Sequence, residues 1–298
     1  MAELYSKLNP EKLELNPAKD EIVQLLKKYD KVSKGLDKQA KRIIKAGNQE
    51  EMIKRINILR HRADEAIKQL TISANNWAQV AAPKSYLSGQ SLSDYFIKKQ
   101  SKIITEEGEE IKILDLIPRD KTQIKKILDN IKAETLREVN LINESWRSRF
   151  DDVIRDAMKD VRGIKLIKQP GIRGGTETAK EIGSRLYQEI KNSGLKLIDG
   201  LGRRWSPERY IRMYSRTRTR ELQTQGIEDR MGDYGLDLVK ISEHVDVDGV
   251  DICNDYEGRV FSLSGDHPDY PALNAHTPFH PNCAHIETPY IEKYQKNK

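Results

Sequence analysis

Sulfur and aromatic rings are scarce in this chain. Only two cysteines occur in 298 residues, so no disulfide framework organises it, and one bridge or one thiol-bearing site is the most that cysteine can supply. Aromatic residues make up 6%, too little bulk for one thick globular core. No apolar run approaches the roughly 20 residues that span a bilayer, so a transmembrane segment and a membrane partner are not expected. The opening Met1-Ala-Glu-Leu-Tyr-Ser-Lys7 lacks an apolar signal region, and export by a signal peptide is not expected either. Catalytic patterns are also thin. Gly171-Ile-Arg-Gly-Gly-Thr176 lacks the Gly-Lys-Ser/Thr ending of a phosphate loop. Asp246, Asp248 and Asp251 with Gly249 lack the closing glutamate of a calcium loop. No Ser-His-Asp or Cys-His arrangement stands out, and there are no internal repeats.

Charge, by contrast, is plentiful and unevenly placed. The net charge is +6, but residues 236–298 carry five basic and eleven acidic side chains, net −6, which leaves +12 on residues 1–235. A basic body suggests a polyanion partner, nucleic acid first, although interspersed Lys, Arg and Glu also simply solvate helix faces. With 33% charged residues, the composition suits long, partly exposed helices. The expected fold class is mainly α, with long extended helices followed by a small, loop-rich α+β C-terminal module.

Three regions are expected: an N-terminal helical region over 1–118, a long-helix body over 119–235, and the module over 236–298. Ile53, Ile56, Leu59, Ala63, Ile67, Leu70, Ala74, Trp77 and Ala81 recur in steps of three or four, tracing one helix stripe. Pro83 is expected to end that helix, and 83–118 to be a mixed connection. Residues 20–46 are helical in pattern, with breaks near Gly35 and Gly47. From about Arg119 to Val161 a second stripe includes Ile131, Thr135, Val139, Trp146, Phe150, Ala157 and Val161. A helix that long needs a partner, within the chain or in another copy, so self-association through the long helices is one expectation. A loop over Gly171–Gly175 leads to a short helix over 176–191. Ser206-Pro207-Glu208 then places an N-cap, a first-turn proline and an acid in order, starting a helix that should reach Asp233 and end at Gly235. Beyond it, 236–242 and 259–263 read as strands.

Both cysteines and five of the six histidines fall in the last 55 residues. Imidazole and thiolate are preferred zinc ligands, four of them closing a structural site. His280, Cys283 and His285 lie on one short loop stiffened by Pro281, and Cys253 is the expected fourth ligand, with His276 in reserve. Zinc here would clip a module too small to bury much apolar surface alone. The competing reading is a cysteine packed as a small hydrophobe with histidines nearby. A second, catalytic alternative is a metal-dependent hydrolase or nuclease centred on His276, His280 and Cys283. Seven arginines lie between Arg203 and Arg220 against one acid, Glu208. Four of them, Arg209, Arg212, Arg216 and Arg220, share one helix face. That face suits either phosphates, bound by charge without regard to sequence, or the acidic module that follows it.

Taken in order, these C-terminal residues resemble the phage minor head proteins, the head morphogenesis and minor capsid group that includes the Mu F-like proteins. The likeness runs from about Trp205 to Tyr290. It rests on Ser215-Arg-Thr-Arg-Thr-Arg220, Val239-Lys-Ile-Ser-Glu-His244, Asp251-Ile-Cys253, Tyr256-Glu-Gly-Arg-Val-Phe261 and Pro278-Phe-His-Pro-Asn-Cys-Ala-His285. Tyr256 stands where the family commonly has a second cysteine, and His285 stands where many members have cysteine, a change that keeps a ligand. The resemblance places Cys253, His280, Cys283 and His285 at metal-ligand positions. It implies a non-enzymatic, structural role in the virion: a protein made in the host cytoplasm, touching portal protein, capsid components and packaged double-stranded DNA.

Overall fold

A computed structural model describes residues 18–105, 121–163, 178–243, 252–281 and 283–292. The loop expected at Gly171–Gly175 and the aspartates Asp246, Asp248 and Asp251 lie outside the described residues. Five helices dominate: α1 (Lys19–Ala40), α2 (Gln49–Thr105), α3 (Lys121–Gly163), α4 (Ala179–Glu189) and α5 (Pro207–Asp233). A two-stranded antiparallel pair, β1 (Leu197–Ile198) with β2 (Arg204–Trp205), lies between α4 and α5. After α5, β3 (Leu238–Ile241), β4 (Val260–Ser262) and β5 (Glu287–Pro289) form a sheet in the order β4-β3-β5, antiparallel throughout. The mainly helical class with a small strand-bearing C-terminal module is therefore observed. No helix among the described residues is long and apolar enough to cross a membrane.

The residues divide into two compact units. The first to be described comprises Val23–Ala78 and Leu136–Arg212. Its helices start where the caps dictate: Asn48 Oδ1 accepts from the Glu51 backbone N–H at the head of α2, and Thr178 with Glu181 forms a reciprocal capping box on α4. The α3 stripe is buried as its spacing predicts, with Val139, Trp146, Phe150, Ala157 and Val161 all at 2% exposure or less. Tyr29 and Trp146 each find a hydrogen-bond partner inside this core. Tyr29 Oη donates to Asn143 Oδ1 at 2.6 Å, and the indole of Trp146 donates to the Gly194 carbonyl at 3.1 Å. Gly35 does not break α1. A helical glycine costs only about 1 kcal/mol, which the burial of Leu25, Leu26, Tyr29, Leu36 and Ala40 outweighs.

The second unit comprises Met1–Ile22, Gln79–Thr135 and Met213–Lys298, and it holds the site. Here the expected end of a helix at Pro83 is corrected: Pro83 lies inside α2, which continues to Thr105. Proline removes the bond to the carbonyl of Gln79, but Gln79 is exposed to water, and beyond Pro83 the helix buries Tyr86, Leu92, Phe96 and Ile97. The Gly-Ser-rich run that reads as a soft connection is instead a contact face. A Cβ on Gly89 would stand 1.9 Å from the Gln223 carbonyl oxygen of α5, and one on Gly226 would stand 2.1 Å from that of Tyr86. Two glycines thus let α2 and α5 touch backbone to backbone. Around this crossing Tyr86 Oη donates to Asp229, while Arg230 and Tyr234 both donate to Asp94.

The module is built on the far ends of these two helices. Leu92 and Phe96 of α2 and Ile227 and Met231 of α5 pack with Val239, Ile241, Phe261 and Leu273. The strand β5 escapes sequence reading because Pro289 weakens the pattern, yet proline is tolerated at a sheet edge. Gln100 of α2 satisfies the outward backbone of that edge, donating to the Pro289 carbonyl at 2.7 Å and accepting from Ile291 N–H at 3.2 Å.

Candidate metal centre

Cys253 lies in a one-turn 3-10 helix, Ile252–Asp255, and is 2% exposed. Its carbonyl accepts from the Tyr256 and Glu257 N–H groups, which sets Glu257 one turn behind it. Cys283 closes a turn by donating its N–H to the His280 carbonyl, and Pro281 occupies the position whose backbone angle proline presets. That turn brings His280 and Cys283 to one side. Ligand atoms of Cys253, His280 and Cys283 all lie within 4.8 Å of one another.

Cys253 and Cys283 are not bridged by a disulfide, and their sulfurs are 3.8 Å apart. A disulfide needs about 2.05 Å, whereas two sulfurs each about 2.3 Å from a tetrahedral zinc stand about 3.8 Å apart. His280 Nδ1 lies 3.0 Å from the Pro281 carbonyl. A carbonyl only accepts, so Nδ1 carries the proton and Nε2 keeps the lone pair a metal needs. His285 does not join the three-residue group. Its Nδ1 is 3.4 Å from the Cys283 sulfur, and its Nε2 is 2.5 Å from Glu257 Oε1. That carboxylate orients the ring with Nδ1 toward Cys283, an arrangement common behind metal-bound histidines. The donor set therefore suits zinc: two cysteine sulfurs and one imidazole converge, with a second imidazole beside them. Tyr256 stacks on Phe279 with ring centroids 4.4 Å apart and packs on Phe261.

His276 belongs elsewhere. It groups with Glu228 of α5 and Glu287 of β5, not with His280 and Cys283. His280 and His285 thus sit in one cluster and His276 in another of different chemistry. Glu228, Glu257 and Glu287 were not singled out in the sequence, and only one of them carried a signal. Cys283, His285 and Glu287 alternate, the period that puts side chains on one face of extended chain, and all three are buried. Glu228 and Glu257 look like any solvated acid until the chain folds.

The arginines separate. Ser206 accepts from the Arg209 N–H and Pro207 opens α5, as the sequence predicts. Arg209, Arg212 and Arg216 are exposed, and Arg212 pairs with Glu208 one turn back. Arg220 turns inward. Burial holds its guanidinium below the usual range, with the charge of the Cys283 sulfur acting the other way, and it donates to Gln223 at 3.2 Å. Arg218 reaches Glu134 and Glu221. The module meets α5 largely through the apolar cluster around Ile227 and Met231.

No curated protein and no solved structure matches the chain. The family model for phage minor capsid protein 2 matches residues 8–298, far beyond the C-terminal third on which the sequence resemblance rests. A match over nearly the whole length takes in both the long helices and the C-terminal Cys/His cluster: the chain belongs to the phage minor capsid protein 2 family and is a structural component of a phage head.

Proposed function

We propose that this protein is a low-copy part of a tailed-phage head, set beside the portal and against packaged DNA, acting in head morphogenesis or DNA passage. The family match over residues 8–298 carries the reading. The DNA contact is supported by the exposed Arg209, Arg212 and Arg216 on a body of net charge +12, which suits phosphates bound by charge alone. Cys253, His280 and Cys283 hold a structural zinc, with His285 as fourth ligand or as the group that steadies Cys283. Zinc bound there supplies no chemistry beyond fixing the 3-10 turn to the His280–Cys283 turn. Quantitative mass spectrometry of purified particles, with portal subunits as internal standard, tests the placement. A few copies per portal ring are expected. Absence from particles would overturn it and favour a transient assembly factor or the metal-dependent nuclease.

A further inference from the structure

A second set of ligating groups lies on the other side of the chemistry, free of sulfur. His276 Nδ1 is 2.5 Å from Glu228 Oε1 and 3.9 Å from Glu287 Oε1, and the ligand atoms of all three lie within 4.8 Å of one another. Ligands about 2.0–2.2 Å from one ion stand about 3–3.6 Å apart, within the reach of small side-chain adjustments here. Glu287 is fully buried, and its Oε2 has no hydrogen-bond partner among the described residues. Its other oxygen is fixed by the Thr277 N–H at 2.7 Å, and Thr277 is itself tied to α5 by a 2.8 Å hydroxyl contact with Thr224. A buried, half-satisfied carboxylate beside a second carboxylate is costly; it is relieved either by taking up a proton, the direction in which burial and Glu228 push Glu287, or by a cation.

We propose that Glu228, His276 and Glu287 bind a divalent first-row transition-metal cation, independently of the Cys253–His280–Cys283 cluster. Two carboxylates and one imidazole suit manganese or zinc, which accept both oxygen and nitrogen; an all-oxygen set would suit calcium or magnesium, and thiolates would select softer ions. Three protein ligands leave a coordination position open, on the side where His276 is half exposed. Binding moves the Nδ1 proton of His276 to Nε2 or to solvent. The ion would join α5, which supplies Glu228, to β5, which supplies Glu287, and so tie the module to the helix beneath it.

Manganese is the discriminating probe, because it is poorly matched to thiolates. The full chain, first saturated with one equivalent of zinc, is titrated with Mn²⁺, and free ion is read from its electron paramagnetic resonance signal. One bound Mn²⁺ per chain is expected, with a rise in melting temperature on addition. Glu228→Gln and His276→Ala should weaken that binding by about 10- to 100-fold or more, while Cys283→Ser should leave it within about threefold. Glu228 is a quarter exposed, so its variant is the one least prone to misfold, and circular dichroism verifies its helices. No stoichiometric Mn²⁺, or Mn²⁺ binding that survives Glu228→Gln but is lost in Cys283→Ser, would overturn the proposal. Neither result bears on whether the protein resides in particles.

Discussion

Around Trp146 the chain buries apolar side chains turn after turn. From Leu236 onward it has few to bury: among the described residues, Leu238, Val239, Ile241, Phe261 and Leu273 are its large buried aliphatic and aromatic side chains. The module compensates with side-chain ties. Asp237 accepts from the Ser262 hydroxyl and the Ser264 N–H, Gln100 finishes the edge of β5, and His285 leans on Glu257. Each neutral tie is worth about 1 kcal/mol net, against about 1.5–3 kcal/mol for a fully buried large apolar side chain. A region short of apolar area therefore depends on many directional contacts, each of which fails if one atom moves. The helical unit depends on area, which tolerates small displacements. Side chains that could hold a metal are concentrated where apolar area is short.

The largest effect should come from attacking area. Trp146 is fully buried, stacks on Tyr29 at 6.4 Å and donates to Gly194. Trp146→Ala should cost about 3–5 kcal/mol. Hydrogen exchange should show the loss in Leu136–Arg212, with the amides of β3 and β4 keeping their protection. Equal loss in both regions would mean that they do not differ in what holds them.

Removing metal should give the converse pattern at smaller size. With zinc about 100-fold above its dissociation constant, binding stabilises the folded state by about 2.7 kcal/mol. Chelation, or Cys283→Ser, should therefore expose 252–292 to proteolysis while far-ultraviolet dichroism, dominated by the helices, barely changes. If chelation leaves proteolysis unaltered, the two thiols are packing residues and the module is held by its other ties alone.

Legibility in the sequence follows the same division. The α3 stripe could be read because area burial is periodic, and Val139, Trp146 and Phe150 announce one face of a helix. Pro83 and Gly89 misled because they were judged by local propensity. What decides their state is an exposed Gln79 on one side and, on the other, the backbone of α5, well over a hundred residues away. Two of the three module strands alternate and could be seen, whereas β5 carries Pro289 and is completed by Gln100. For the site, Cys253, His280 and Cys283 were found through residue type, since thiols and imidazoles are rare enough to notice. Glu228, Glu257 and Glu287 are chemically common, and only long-range folding sets them apart. His276 shows the limit most plainly: sequence proximity joined it to His280, but space joins it to two carboxylates.

A final, smaller effect lies in the helical unit and is set by a tie of the module's kind. In the β1–β2 turn, burial alone would raise the pKa of Asp199. Hydrogen bonds from the Trp205 indole, the Arg203 side chain and N–H, and the Leu201 N–H outweigh it and hold that pKa down to about 2. A carboxyl depressed in the folded state contributes stability that is present above its unfolded value of 3.8 and is lost as pH falls toward 2. Between about pH 4 and pH 2 the hairpin should loosen, read as a change in Trp205 fluorescence, and Asp199→Asn should remove that pH dependence while lowering stability at pH 7. The reading can be isolated in a Trp77→Phe background, with Trp146 buried and unmoved as internal reference. An unchanged acid profile in Asp199→Asn would show that the turn is held by its backbone bonds and by Arg203 over Trp205, so that directional ties in the helical unit are redundant in a way those of the module are not.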